Sequence, residues 1–127
     1  MSLMYPDGDM TAKYIATLIK KHIVSFSGMN VDVVSDKNAG FAPAIHVGKT
    51  KRSTVTAESG KYNIKVTNAG LEIAVDDIFT YAAAYSTITN EVLAYSTPHI
   101  ALTVGQEWSG DSIQDSNVAR TTDVRIM

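Results

Sequence analysis

Apolar side chains recur at every third or fourth position between Met10 and Phe26, which is the spacing of one face of an α-helix. The apolar positions are Tyr14, Ile15, Leu18, Ile19, Ile23 and Phe26. Asp9 or Thr11 can cap the first turn with a side-chain oxygen, and Gly28 can take the left-handed conformation that ends a helix. The pattern predicts an amphipathic helix over these residues.

A second helical pattern begins at Asp76 or Asp77, either of which can serve as its cap, and runs to about Tyr95. Its apolar positions are Ile78, Tyr81, Ala82, Tyr85, Ile88, Val92 and Tyr95. Threonines in the middle of this segment lower its helix propensity, because β-branched side chains lose rotamer freedom in a helix. Pro98 ends the segment.

Strict alternation of apolar and polar residues predicts a β-hairpin in the middle of the chain. Tyr62–Val66 and Leu71–Val75 alternate, and Asn68–Gly70 between them is a turn sequence. Lys65 and Glu72 lie on the polar faces of these two strands, where they could meet across the hairpin.

Five further segments have strand-like composition or alternation: Val31–Ser35, Phe41–Val47, Ser53–Glu58, His99–Val104 and Thr122–Met127. Pro43 cannot donate a ladder hydrogen bond, so its strand should start late or lie at an edge. Gly48–Arg52 is predicted to be a basic loop and Ser109–Asn117 a polar loop. The order of elements predicts one α+β domain over residues 1–127, with two layers: a mainly antiparallel sheet, and the two helices packed on it.

Composition narrows the class of protein. The chain has 127 residues, 45% of them hydrophobic and 19% charged, which is typical of one globular domain. It has no cysteine, which excludes disulfides and thiol nucleophiles. No signal peptide or membrane-spanning apolar run is evident, so we expect a cytoplasmic protein with no membrane partner.

The charges are unevenly distributed along the chain. Residues 10–65 hold nine basic and three acidic side chains, whereas residues 66–119 hold seven acidic side chains and no Lys or Arg. The two blocks can interleave in the fold and cancel. Alternatively, they can form opposed faces, and a subunit with such faces can associate head-to-tail into a ring. The net charge of −2 argues against a nucleic acid as the partner.

Lys49, Lys51 and Arg52 form the strongest basic cluster. They can be a solvated loop tip, a docking site for an acidic protein, or a phosphate contact. Gly48-Lys49-Thr50 looks like the end of a phosphate-binding loop, but Pro43 occupies the position where that motif needs glycine. Trp108 can be a core residue or an interface anchor. The candidate interface residues are Lys49, Lys51, Arg52, Trp108, Asp111 and Asp115.

Motifs for catalysis and metal binding are weak. His22, His46 and His99 have no spacing typical of a metal site, and Asp111 and Asp115 do not fit a calcium loop. We therefore expect no metal, no cofactor and no enzymatic activity. A site built from a histidine and a distant serine or aspartate remains open, because such groups need not be neighbours in sequence.

The order of elements resembles that of the small tail-terminator or tail-completion proteins of long-tailed bacteriophages. The resemblance is carried by the opening helix (Met10–Phe26), the Pro-containing segment Phe41–Val47, the hairpin, the helix Asp77–Tyr95 and the final strand Thr122–Met127. It implies a ring-forming virion protein that caps the tail tube and meets the head connector, and it implies no catalytic residue.

Two main hypotheses follow. The first is a non-enzymatic structural or assembly subunit that acts through self-association, in the cytoplasm during assembly and then in the virion. The second is a small inhibitor or adaptor that binds a protein or ligand through the basic loop over residues 49–52. An enzyme that uses His46 or His99 is a third hypothesis.

Overall fold

The computed structural model describes residues 2–38, 40, 42–93 and 102–111. These residues form a six-stranded sheet and two helices, which confirms the α+β class. The elements are β1 (Ser2–Tyr5), α1 (Met10–Ser27), β2 (Asp32–Ser35), β3 (Ala44–Val47), β4 (Lys61–Thr67), β5 (Gly70–Val75), α2 (Ile78–Thr87) and β6 (Glu107–Asp111). A 3₁₀ turn (Asp36–Asn38) follows β2, and a π-helical turn (Ile88–Val92) follows α2.

The sheet is mixed, which corrects the expectation of a mainly antiparallel sheet. Its strand order is β2-β1-β3-β5-β4-β6. Among the described strands, β1 pairs in parallel with β2 and β3, and β3 pairs in parallel with β5, whereas β4 is antiparallel to β5 and β6. Two of the three parallel pairings involve β1, which was not predicted, and the third joins β3 to β5. Helix α1 leads the chain from β1 back to the start of β2, and such a crossover makes neighbouring strands parallel.

The two faces of the sheet are covered differently. Leu3, Ile45 and Ile73 share one face, which packs against α1 and α2 in the main hydrophobic core. His46 and Glu72 share the opposite face. Residues 48–58, which we call the covering segment, lie over that face. The domain thus has helices on one side and an irregular segment on the other.

The caps explain where both helices begin. Asp9 accepts a hydrogen bond from the Ala12 N–H at 3.0 Å, and Gly28 ends α1 with φ of 70°. Asp77 and Thr80 form a capping box at the start of α2. These findings confirm the predicted starts of both helices. The regular part of α2 ends at Thr87, and Tyr95 lies outside the described residues.

The predicted strand Ser53–Glu58 is wrong. This segment joins no ladder, because the backbone N–H groups of Thr54 and Val55 donate instead to the Glu72 carboxylate. The strand around Pro43 does start late, at Ala44, and it lies inside the sheet between β1 and β5.

The expectations for the last part of the chain also need correction. Residues 102–104 are not a strand, because Thr103 begins a turn that is closed by a hydrogen bond from the Gln106 N–H to the Thr103 carbonyl. Residues 109–111 belong to β6 rather than to a loop, because β4 offers them a ladder. Three predicted features lie outside the described residues: the rest of the polar loop (residues 112–117), His99, and the strand Thr122–Met127.

Candidate functional site

One end of the sheet collects the features that sequence analysis singled out. The carboxyl ends of β1, β3 and β5 meet there, and both helices begin there. Ligands and partners of α/β sheets commonly bind at this end, because the loops that follow the strands gather there. We call it the carboxyl end of the domain.

Gly48 is the point at which this end is most tightly packed. Its φ is 82°, and a Cβ there would lie 2.7 Å from the Tyr81 Oη and 3.6 Å from the Ala12 Cβ. Burial of Tyr81, followed by the negative charge of Asp9, raises the pKa of Tyr81 to about 12. The loop after β3 therefore touches both helices, and only glycine fits at its first position.

Asp36 links three loops through hydrogen bonds. It is buried, and its Oδ1 accepts a hydrogen bond from the Asp7 N–H at 2.8 Å. Its Oδ2 accepts one from the Lys51 N–H at 2.9 Å. Asp7 follows β1, Asp36 follows β2 and Lys51 follows β3, so one carboxylate holds the loops after three parallel strands in place.

His46 anchors the covering segment from below. Its side chain is fully buried, and its Nε2 lies 3.0 Å from the Ala69 carbonyl oxygen. A carbonyl can only accept, so Nε2 carries the proton and Nδ1 accepts from the Thr50 hydroxyl at 2.8 Å. Thr50 Oγ1 in turn lies 3.0 Å from the Ser53 Oγ. Burial lowers the pKa of His46, which favours this neutral form.

Glu72 is the second anchor. It is 1% exposed and accepts hydrogen bonds from the N–H groups of Thr54 and Val55 at 2.6 and 3.0 Å. The hydroxyls of Thr54 and Thr67 donate to its other oxygen at 3.1 and 2.5 Å. Burial raises the pKa of Glu72, but these four hydrogen bonds outweigh it and leave the pKa below its ordinary value.

An imidazole, hydroxyls and a carboxylate thus come together on one face of the sheet, but their arrangement is that of a structural network. His46 and Glu72 lie beneath the covering segment, where their polar atoms are engaged by protein groups. A general acid or base must reach a substrate, and neither group does so here. What the network can do is hold the covering segment in one place.

The structure brings the three basic candidates into one loop at the carboxyl end. Lys49 and Lys51 are exposed, and the Lys51 Nζ donates to the Lys37 carbonyl at 3.3 Å, so Lys37 extends the basic surface. Arg52 is half-buried and donates to the Ala42 carbonyl at 2.6 Å. Lys49 and Lys51 face solvent, whereas Arg52 also holds the fold together.

The remaining candidates lie at the other edge of the sheet. Trp108 on β6 is half-buried and packs against the hydrophobic core, opposite Ile64. Asp111 forms an exposed ion pair with Lys61, at 2.5 Å between Oδ1 and Nζ. Asp115 lies outside the described residues. The six candidates therefore do not form one site.

Sequence analysis missed a group of exposed apolar side chains at the carboxyl end. It consists of Met10, Tyr14, Ile78 and Phe79, which are 54–65% exposed. We call it the helix-start patch, because its residues lie in the first turns of α1 and α2. Tyr14 and Ile78 belong to the apolar stripes and were expected in the core.

The two charge blocks are partly separated at the carboxyl end. Lys37 and Lys51 lie on the side of β2, whereas Asp76 follows β5 and Asp111 ends β6 on the other side. On β4 the blocks interleave, since Lys61 pairs with Asp111 and Lys65 lies opposite both Glu72 and Glu107. Both interpretations of the charge pattern therefore hold in different parts of the domain.

Two clefts flank the covering segment. One of about 190 Å³ is lined by Lys49, Val55 and Ala74, and one of about 420 Å³ by Glu58, Asn63 and Glu107, among others. The described residues contain no group of three His, Asp or Glu side chains that could hold a metal ion. Neither described helix has the length and apolarity that a membrane crossing requires.

Comparison with known proteins adds no identity. No protein family matches the chain, and no curated protein matches it significantly.

Proposed function

We propose that this chain is a non-enzymatic assembly subunit that acts by binding copies of itself. The observation that carries the proposal is the helix-start patch: four large apolar side chains are exposed in the first turns of two helices that begin at the same end of the domain. Large apolar side chains exposed at one end of a domain are typical of protein–protein interaction sites. Opposite charges on the two sides of the same end favour a second copy as the partner.

The buried network supports this proposal. His46 and Glu72 hold the covering segment, and Asp36 holds the basic loop, so the surface between them is already ordered before a partner arrives. Binding to an ordered surface costs less conformational entropy than binding to a mobile one. The polar groups of this network hold the surface in shape and are not exposed for chemistry.

The test is the mass of the particle in solution. Light scattering and mass photometry of the wild type should show a concentration-dependent mass above that of one 13.7 kDa chain. Phe79→Asp should shift the protein to the monomer. Val104→Asp is the matched control, because Val104 is 61% exposed and precedes β6 at the opposite end. A wild type that stays monomeric at every concentration and salt would refute the proposal.

The finer proposal, a tail-terminator-like ring, is supported by the order of elements. It places the protein in the cytoplasm during assembly and in the virion afterwards. Negative-stain electron microscopy of the assembled fraction should then show closed rings of one size. Compact dimers would contradict a ring.

A second candidate function is an adaptor or inhibitor that uses the loop over residues 49–52. The anchoring of the Lys51 backbone by Asp36 favours it, because the loop presents its cations in a fixed arrangement. Titration with a poly-glutamate peptide tests it. The double substitution Lys49→Ala and Lys51→Ala should abolish binding, while Lys20→Ala and Lys21→Ala on α1 should not. Equal binding by both double variants would contradict this function.

A further inference from the structure

Strands β2 and β6 are the two edges of the sheet, and within the described part of the chain neither has a partner on its outer side. The two edges run in the same direction, because β2 is parallel to β1, β3 and β5, and two antiparallel pairings relate β5 to β6. An open strand edge is a template for another chain.

The hydrogen bonds between β4 and β6 show which backbone groups of β6 point away from the sheet. The Val66 N–H donates to the Gln106 carbonyl at 2.9 Å, in register with the β4–β6 ladder. Antiparallel ladders alternate, so the backbone groups of Trp108 and Gly110 face β4. Those of Glu107, Ser109 and Asp111 therefore point away from the sheet, where a further strand would bind them.

The charges and side chains of the two edges are complementary. Asp111 ends β6, and Lys37 follows the end of β2, with Lys51 against it. A parallel pairing brings these two ends together. Trp108 and Val33 are both half-buried on the helix side of their strands, so they would extend one apolar surface across the junction.

We infer that copies of this chain join edge to edge, with β6 of one copy adding in parallel to β2 of the next. This inference rests on the proposed function and adds a second contact, at the sheet edges, to the one that the helix-start patch makes. Assembly needs both contacts, so the loss of either one gives monomers. Because the two edges differ, each added copy leaves one edge open, so the contact builds a ring when the rotation closes and a filament when it does not.

The deciding experiment compares Ser109→Pro with Ser109→Ala. Proline removes the N–H that points away from β4 and leaves the β4 ladder intact, whereas alanine keeps that N–H. Mass photometry should show Ser109→Pro as a monomer under conditions where the wild type and Ser109→Ala assemble. A small amount of Ser109→Pro added to the wild type should also shorten open assemblies, because it can only end them.

The outcomes separate the two proposals. A monomeric wild type refutes the proposed function itself. If the wild type assembles, and Ser109→Pro and Ser109→Ala assemble equally well, only the edge pairing is refuted. A loss of thermal stability in Ser109→Pro alone, measured at a concentration where all three proteins are monomeric, would show that this N–H already has a partner within the same chain, and would also overturn the inference.

A charge exchange gives an independent test that holds even where the proline variant fails to fold. Lys37→Glu and Asp111→Lys should each weaken assembly by about tenfold or more, because each places like charges at the junction. An equal mixture of the two variants should assemble again, since each mixed junction pairs opposite charges. Two variants that assemble like the wild type, or a mixture that stays dissociated, would contradict the edge pairing.

Discussion

His46 and Glu72 are register partners on the adjacent strands β3 and β5, and both bind the same covering segment from beneath. A sheet face of this kind is usually sealed by apolar side chains. Here the seal is polar, and it is stable because the buried side chains of His46 and Glu72 have partners for their polar atoms. The covering segment needs no ladder of its own, because Glu72 satisfies two of its N–H groups.

Glu72→Gln should therefore destabilise the fold. The amide keeps one acceptor oxygen but places an NH₂ group where hydroxyl or N–H donors now point. Loss of charge-assisted hydrogen bonds in a buried site costs about 1.5–3 kcal/mol of the free energy of unfolding. Urea denaturation at neutral pH measures this change. Glu58→Gln, at an exposed position of the same segment, is the control and should be neutral. Equal midpoints for the two variants would contradict the anchoring role.

The free energy of unfolding should also decrease in two stages as the pH is lowered. The pKa of buried His46 lies below its ordinary value of 6.5, so the unfolded chain takes up this proton first, and stability declines as the pH falls below about 6.5. The pKa of Glu72 lies below its ordinary value of 4.5, so its contribution is complete above that value and is lost as the pH falls through its folded pKa.

The free energy of unfolding, measured by urea denaturation from pH 8 to pH 3, checks both stages. His46→Gln can still donate to the Ala69 carbonyl but does not titrate, so it should lose the first stage and keep the second. An identical slope between pH 6.5 and 5 in the variant and the wild type would show that His46 does not cause the first stage.

Local patterns predicted the parts of the fold that local interactions determine. Alternation located the hairpin of β4 and β5, and capping residues located the start of both helices, because each signal spans only a few residues. Strand β1 has only four residues, too few for a clear alternation, although the turn sequence Pro6-Asp7-Gly8 follows it. The covering segment looked like a strand because its composition is β-branched. The partner of its N–H groups, Glu72, lies 17 or 18 residues further along the chain.

Only part of the candidate site could be predicted, for the same reason. The basic cluster was visible because its residues are adjacent in sequence. Asp36 had no signal, since its two partners lie 29 and 15 residues away. The helix-start patch was not predicted because periodicity marks an apolar stripe but not which of its residues stay exposed.

Gly48→Ala should be more harmful than an ordinary substitution of a left-handed glycine. Both Gly48 and Gly28 have positive φ, but only a Cβ at Gly48 meets another atom closely, the Tyr81 Oη at 2.7 Å. Gly28→Ala should cost about 1 kcal/mol for the backbone alone, and Gly48→Ala about 1–3 kcal/mol more. Tyr81→Phe removes the Oη and should recover part of that excess. The wild type, Gly48→Ala, Tyr81→Phe and the double variant form a double-mutant cycle, which thermal unfolding measures. Additive effects in this cycle would refute the steric explanation.

Asp36→Ala should loosen the basic loop without unfolding the domain. The substitution leaves the N–H groups of Asp7 and Lys51 without their buried acceptor, so both should open to water more often. Hydrogen–deuterium exchange should show faster exchange at these two amides, while the amides of β4 and β5 keep their protection. Asp32→Ala is the control, because Asp32 is exposed at the start of β2. If both variants exchange alike at Lys51, the loop is held by the Thr50 and Ser53 contacts instead, and Asp36 does not order the surface on which assembly depends.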